Sequence, residues 1–168
     1  RKGGMEVRNL CILGESLITL HSSGCVTLEL IINQLQGEKL ETFTPEDIVA
    51  LYRILQACTE KVDEHQTFLN KINNFSLSIV SNLSPKLISQ MLTALVVLDQ
   101  SQAFPLIIKL GKYVVRHVPH FTNEELRRVL EAFIYFGHHD TFFTKALEHR
   151  VAAVCLTLDP EVVCRVME

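Results

Sequence analysis

One short pattern recurs along this chain at intervals too long for a single helix. It consists of an apolar residue, a side chain able to cap a helix, and a second apolar residue four positions after the cap. It reads Phe43-Thr44 with Ile48, Leu83-Ser84 with Ile88, Phe121-Thr122 with Leu126, and Leu158-Asp159 with Val163. The caps Thr44, Ser84, Thr122 and Asp159 are separated by 40, 38 and 37 residues. An oxygen-bearing side chain in this place accepts a hydrogen bond from an orphan amide of the first turn, and the flanking apolar pair fixes the angle of entry. Pro45, Pro85 and Pro160 follow their caps directly, at the first helical position, where a missing N–H costs nothing. The unit at Thr122 is the most complete. Glu125 can close a capping box, Leu126, Val129, Leu130 and Phe133 step at three and four residues, and Gly137 sits where such a helix stops. A period near forty residues suits a helical hairpin, so the chain is predicted to be all-α, an α-solenoid of stacked helical hairpins, right-handed by analogy with other helical repeats.

The units fall at about 1–42, 43–82, 83–120 and 121–157, with a truncated unit at 158–168, all in a single helical repeat domain. Within them, hydrophobic periodicity predicts helices over about 7–20, 26–36, 44–58, 63–80, 84–98, 104–118, 122–136 and 141–156. The first is a degenerate unit with Val7, Leu10, Leu13 and Leu17 as its buried stripe, followed by a turn at Ser22-Ser23-Gly24. Asn73-Asn74 can bend the fourth helix, because Asn is a poor interior helix former. No segment alternates with period two for long enough to compete as a strand.

Composition sets outer bounds. The longest wholly apolar runs, 94–98 and 151–156, fall far short of the ~20 residues a bilayer requires, so no membrane span is expected. Cys11, Cys25, Cys58, Cys155 and Cys164 are odd in number, lie mostly among apolar neighbours and never form CxxC. They read as reduced, mainly buried thiols. The chain opens on Arg1-Lys2-Gly3-Gly4 and stops inside a helix that has just begun. Both ends look cut, so any targeting peptide or catalytic domain is expected outside this fragment.

The sequence carries no complete catalytic motif. The seven glycines never approach GxGxxG or GxxxxGK[ST], and neither HRD nor DFG occurs, which argues against phosphoryl transfer. His138-His139-Asp140 is the most ligand-like cluster, but adjacent His side chains point apart and no second pair completes a tetrahedral set. It reads as a polar loop, as do His117 and His120 around Pro119. The paired carboxylates Asp63-Glu64 and Glu124-Glu125 fall in first turns, where the helix dipole favours negative charge. The expectation is a protein without enzyme activity, cofactor or metal.

What remains is a surface argument. Net charge is −3, yet 84–168 carries 9 basic against 9 acidic residues while 1–83 carries 7 against 10. Aligning the units by their caps places Asn9, Ala50, Gln90, Arg128 and Arg165 in one column, beside a second column of Arg8, Val49, Ser89, Arg127 and Cys164. In RNA-reading repeat proteins a fixed position on successive helices faces one base each. Asn9, Gln90, Arg127, Arg128 and Arg165 are therefore the candidate RNA contacts, with Lys109, Lys112, Arg116, Lys145 and Arg150 as candidate phosphate contacts. The alternative is a solvated face, since any surface helix carries charges at such positions.

The run HFTNEELRRVLEAFIYFGHHDTFF, with LSPKLISQMLTALVVLD before it, closely resembles the FAST kinase domain-containing proteins, and the whole chain is similar to their helical middle portion. The resemblance implies a mitochondrial matrix protein that binds single-stranded mitochondrial RNA and governs its processing, stability or translation, and so supports respiration. It implies other RNA-processing or translation proteins as further partners. In such proteins a presequence precedes the repeats, and FAST-named segments and a RAP domain follow. The rival expectation is a protein-interaction scaffold, with RNA contacted elsewhere in the full chain.

Overall fold

The computed structural model describes residues 6–20, 25–58 and 63–137. Among them all regular structure is helical, with seven α-helices and no strand. The helix expected over 141–156, the truncated unit with its cap Asp159, the turn at Ser22-Ser23-Gly24, and Lys145, Arg150, Cys155, Cys164 and Arg165 lie outside the described residues. The chain divides into two compact units, Arg1–Ile79 and Val80–Glu168.

The first unit holds α1 (Val7–Thr19), α2 (Cys25–Gln36), α3 (Pro45–Ala57) and α4 (Gln66–Ile79). Thr44 and Asp47 form a full capping box at the start of α3. The Asp47 N–H donates to Thr44 Oγ1 at 3.2 Å, and the Thr44 N–H donates to Asp47 Oδ2 at 3.1 Å. The other oxygen of Asp47 accepts from Arg8 Nη1 at 2.9 Å, which ties α1 to the entry of α3. A second cross-link joins Arg53 Nη1 to Glu15 Oε1 at 3.1 Å. The paired residues are 39 and 38 positions apart. A nearly constant offset along two helices means that they run parallel, one repeat length apart. Beside the second link Gly14 faces Ile54, and a Cβ at Gly14 would come 2.8 Å from Ile54 Cγ1.

That contact corrects the expected stripe of the first helix. Val7, Leu10, Cys11 and Gly14 are buried, whereas Leu13 is 39% exposed and Leu17 is only half-buried. Steps of three drift around a helix of 3.6 residues per turn, and alternating threes and fours stay on one face. In α2 the expected Leu28, Ile31, Ile32 and Leu35 are all buried. α4 runs unbroken through Asn73-Asn74. Asn73 is buried because its Oδ1 accepts from the Tyr52 hydroxyl at 2.6 Å, with Ser76 Oγ 3.3 Å from the same hydroxyl. A polar residue that finds a partner inside the core has no need to break the helix.

The second unit holds α5 (Pro85–Val97), α6 (Phe104–Arg116) and α7 (Asn123–Phe136). Ser84 Oγ accepts from the Leu87 N–H at 3.3 Å. At α7 the Glu125 N–H donates to Thr122 Oγ1 at 3.1 Å, and the Thr122 N–H donates to Glu125 Oε1 at 2.8 Å. Gly137 ends α7 with φ of +72°, the left-handed conformation that glycine adopts without strain. α5 and α7 pack side by side, and Tyr135 near the end of α7 donates to Asp99 Oδ1 just past the end of α5 at 2.8 Å. Their ends therefore coincide, as in the parallel pair of the first unit. α6 connects them along the chain and buries Leu106, Ile107, Leu110, Gly111 and Val114.

Each of the three capped entries is preceded by a single 3₁₀ turn that the sequence reading did not anticipate: Leu40–Thr42, Val80–Asn82 and Val118–His120. In each, the N–H of the apolar residue before the cap bonds back three residues: Phe43 to Leu40, Leu83 to Val80, Phe121 to Val118. The recurring signature therefore spans about nine residues, and both apolar members of each pair are buried.

Candidate nucleic-acid interface

Of the column residues, Asn9 and Arg128 are exposed, Gln90 and Arg127 are half-buried, and Ala50 is buried. The alignment by caps therefore does not give one solvent-facing line. α3 packs against α1, α2 and α4 and is buried nearly all round, so the position exposed on α1 is interior on α3. The position exposed on all four outgoing helices lies two turns further on, at Ser16, Ala57, Val97 and Tyr135.

The two arginines on α7 are committed to carboxylates of their own helix. Arg127 Nη1 lies 2.7 Å from Glu131 Oε1, Arg127 Nε lies 3.0 Å from Glu124 Oε2, and Arg128 Nε lies 3.3 Å from Glu124 Oε1. Hydrogen bonding to Arg127, with Arg128 adding to it, holds the Glu124 carboxyl at a pKa of about 2. The local sum of charges is near zero. Beside them, between α5 and α7, opens a cleft of about 260 Å³ lined mainly by apolar atoms, with Val97 and Tyr135 at its rim and Thr93, Arg128 and Glu131 along it.

The cations of α6 are differently placed. Lys109, Lys112 and Arg116 are all exposed. Their spacing of three and four residues puts them within about 60° of arc on one face. No acidic residue occurs from Gln100 to Asn123, so neither Lys112 nor Arg116 has a carboxylate on α6 or its flanking turns. Among the described residues, neither Lys112 nor Arg116 has a carboxylate at ion-pair distance. Along one side of this stripe stand three rings. Tyr113 and His117 stack with centroids 4.1 Å apart and planes inclined by 33°, and His120 follows 6.0 Å from His117.

Of the expected contacts, then, the structure brings Lys109, Lys112 and Arg116 together as one basic face. Asn9 lies in the first unit and Gln90, Arg127 and Arg128 in the second, where both arginines are paired with carboxylates of their own helix, and Arg165 lies outside the described residues. Tyr113 was missed, and His117 and His120 read as a bland turn. The signal that links them is the four-residue step from Tyr113 to His117.

A bovine (Bos taurus) protein named FAST kinase domain-containing protein 3, mitochondrial, is 73% identical over 167 residues, which is 99% of this chain and 25% of its own length. Proteins of the same name from Rattus norvegicus and Mus musculus are 68% and 62% identical over 100% and 99% of the chain. The chain belongs to the FAST kinase domain-containing protein family. It spans about a quarter of the length of these relatives. No family model and no solved structure matches it. Among the described residues, no group of His, Cys, Asp and Glu is arranged to hold a metal, and no helix is long and apolar enough to cross a membrane. Cys11 and Cys58 are buried and outside any disulfide, and burial pushes the Cys11 thiol up to about 12.

Proposed function

We propose that this chain is the RNA-binding helical-repeat region of a mitochondrial RNA regulator acting in the matrix. The repeats form an α-solenoid along the chain, and the activity is occupancy: the bound transcript is shielded, or presented to processing and translation factors, without chemistry in this region. The observation that carries the reading is the segregation of charge. A chain of net charge −3 sets aside one helix and its flanking turns with no acidic residue, and presents Lys109, Lys112 and Arg116 on its exposed face. Such a face suits the phosphate backbone. Membership in a family whose bovine, rat and mouse members carry a mitochondrial name supports a mitochondrial location. The kinase in that name has no counterpart among the motifs of this sequence, which supports a non-enzymatic role.

The test is binding of the 168-residue chain to single-stranded RNA by fluorescence anisotropy across a salt series. Affinity that falls steeply with salt is expected, and absence of binding at low salt contradicts the reading. A second reading, a protein-interaction scaffold, is favoured by the neutral, largely apolar cleft between α5 and α7 with Val97 46% and Tyr135 50% exposed. It predicts that a pulled-down protein partner is lost with Tyr135→Glu while any RNA binding is unchanged.

A further inference from the structure

We infer that the α6 face is a composite contact for unpaired RNA, in which Lys112 and Arg116, with Lys109, hold phosphates while Tyr113, His117 and His120 offer a stacking surface to a base. The inference rests on the RNA-binding reading and moves its contact from the outgoing helices to the return helix.

Two independent features of the face lead to it. The first is electrostatic. Arg127 and Arg128 are paired with Glu124 and Glu131, whereas Lys112 and Arg116 are exposed within a segment of the chain without acidic residues. A cation already bonded to a carboxylate must give up that partner to bind phosphate, and a solvated one releases only water and counterions. The second is the rings. A row of cations alone suits any polyanion, including duplex nucleic acid or an anionic lipid surface. Stacked rings add a contact that only a base with a free face can use. Tyr113 lies four residues from Lys109 and three from Arg116, and stacks on His117 at 4.1 Å. His120, exposed in the turn before α7, extends the row. Phosphate and base contacts are therefore available within one turn of each other, and the bases inside a duplex cannot reach the rings.

The two halves of the site have separable signatures. Each phosphate contact on a single strand contributes about 0.7 to the slope of log affinity against log salt, so Lys112→Gln with Arg116→Gln is expected to flatten that slope by about 1.4. Base stacking carries little salt dependence, so His117→Ala with His120→Ala is expected to weaken binding about fivefold or more at constant slope. The same loss is expected when the intact chain is given an abasic oligonucleotide, and a duplex RNA of equal length should bind more weakly than the single strand. Thermal melts of each variant establish that it folds. If the chain binds RNA but both double variants match the parent in slope and affinity, the α6 site is wrong and the RNA reading stands. Failure of the parent to bind RNA at low salt overturns both. Equal binding of abasic and natural strands, or binding to anionic vesicles in preference to RNA, overturns the base-stacking site.

Discussion

Gly14 shows how one small side chain sets a helix spacing. A glycine inside a helix costs about 1 kcal/mol relative to alanine, so its place in the middle of α1 asks for a reason. The reason is Ile54, fully buried on α3 and closer than a Cβ at position 14 would tolerate. Gly14→Ala is expected to destabilise the chain by up to about 2 kcal/mol in urea unfolding, since overpacking of roughly 1–3 kcal/mol offsets the gain of about 1 kcal/mol in helix propensity. Glu124 makes a second case, in charge rather than space. Its pKa of about 2 lies below the ordinary value of 4.5 because the ionised form is held by Arg127 and then Arg128. A depressed carboxylate adds stability that is fully present above its ordinary value and is lost as pH falls from there through the folded value. An NMR titration should find Glu124 still ionised at pH 3, and Arg127→Ala should move its midpoint up toward 4.5. No change on that substitution would mean that the ion pairs are not formed in solution.

At the level of elements, most of the fold was legible because its signals are local. The caps Thr44, Ser84 and Thr122, the prolines after two of them and the terminal Gly137 act within one turn of the backbone. Sequence spacing alone is enough to place them. Which face of a helix turns inward was less legible, because that depends on how many neighbours the helix has. Leu13 was expected inside and is exposed, Ala50 was placed on a surface column and is buried, and the 3₁₀ turns before each cap carry no residue pattern distinctive enough to find. The capping box at α7 is expected to be worth about 1 kcal/mol, read as the loss on Thr122→Ala. Leu126→Ala one turn later should cost roughly 2–5 kcal/mol because that side chain is wholly buried. A loss at Leu126 no larger than at Thr122 would show that α7 is not anchored by its apolar face.

For the molecule as a whole, the proposed function rests on the distribution of charge rather than on its total. The overall value of −3 argues against a nucleic-acid binder, and so does the near neutrality of α7 once its arginines are paired. The sequence named the cations of α6 together with arginines that the structure pairs with carboxylates. It could not separate them, because ion pairing between Arg127 and Glu131 or Glu124 is a matter of side-chain geometry, while the absence of acids from Gln100 to Asn123 is plain in the sequence itself. The most direct measurement is photocrosslinking of the chain to single-stranded RNA carrying 4-thiouridine, with the modified residues mapped by mass spectrometry. The account predicts adducts concentrated between residues 109 and 120, foremost at Tyr113 and His117, and adducts confined to α7 or to the first unit would contradict it.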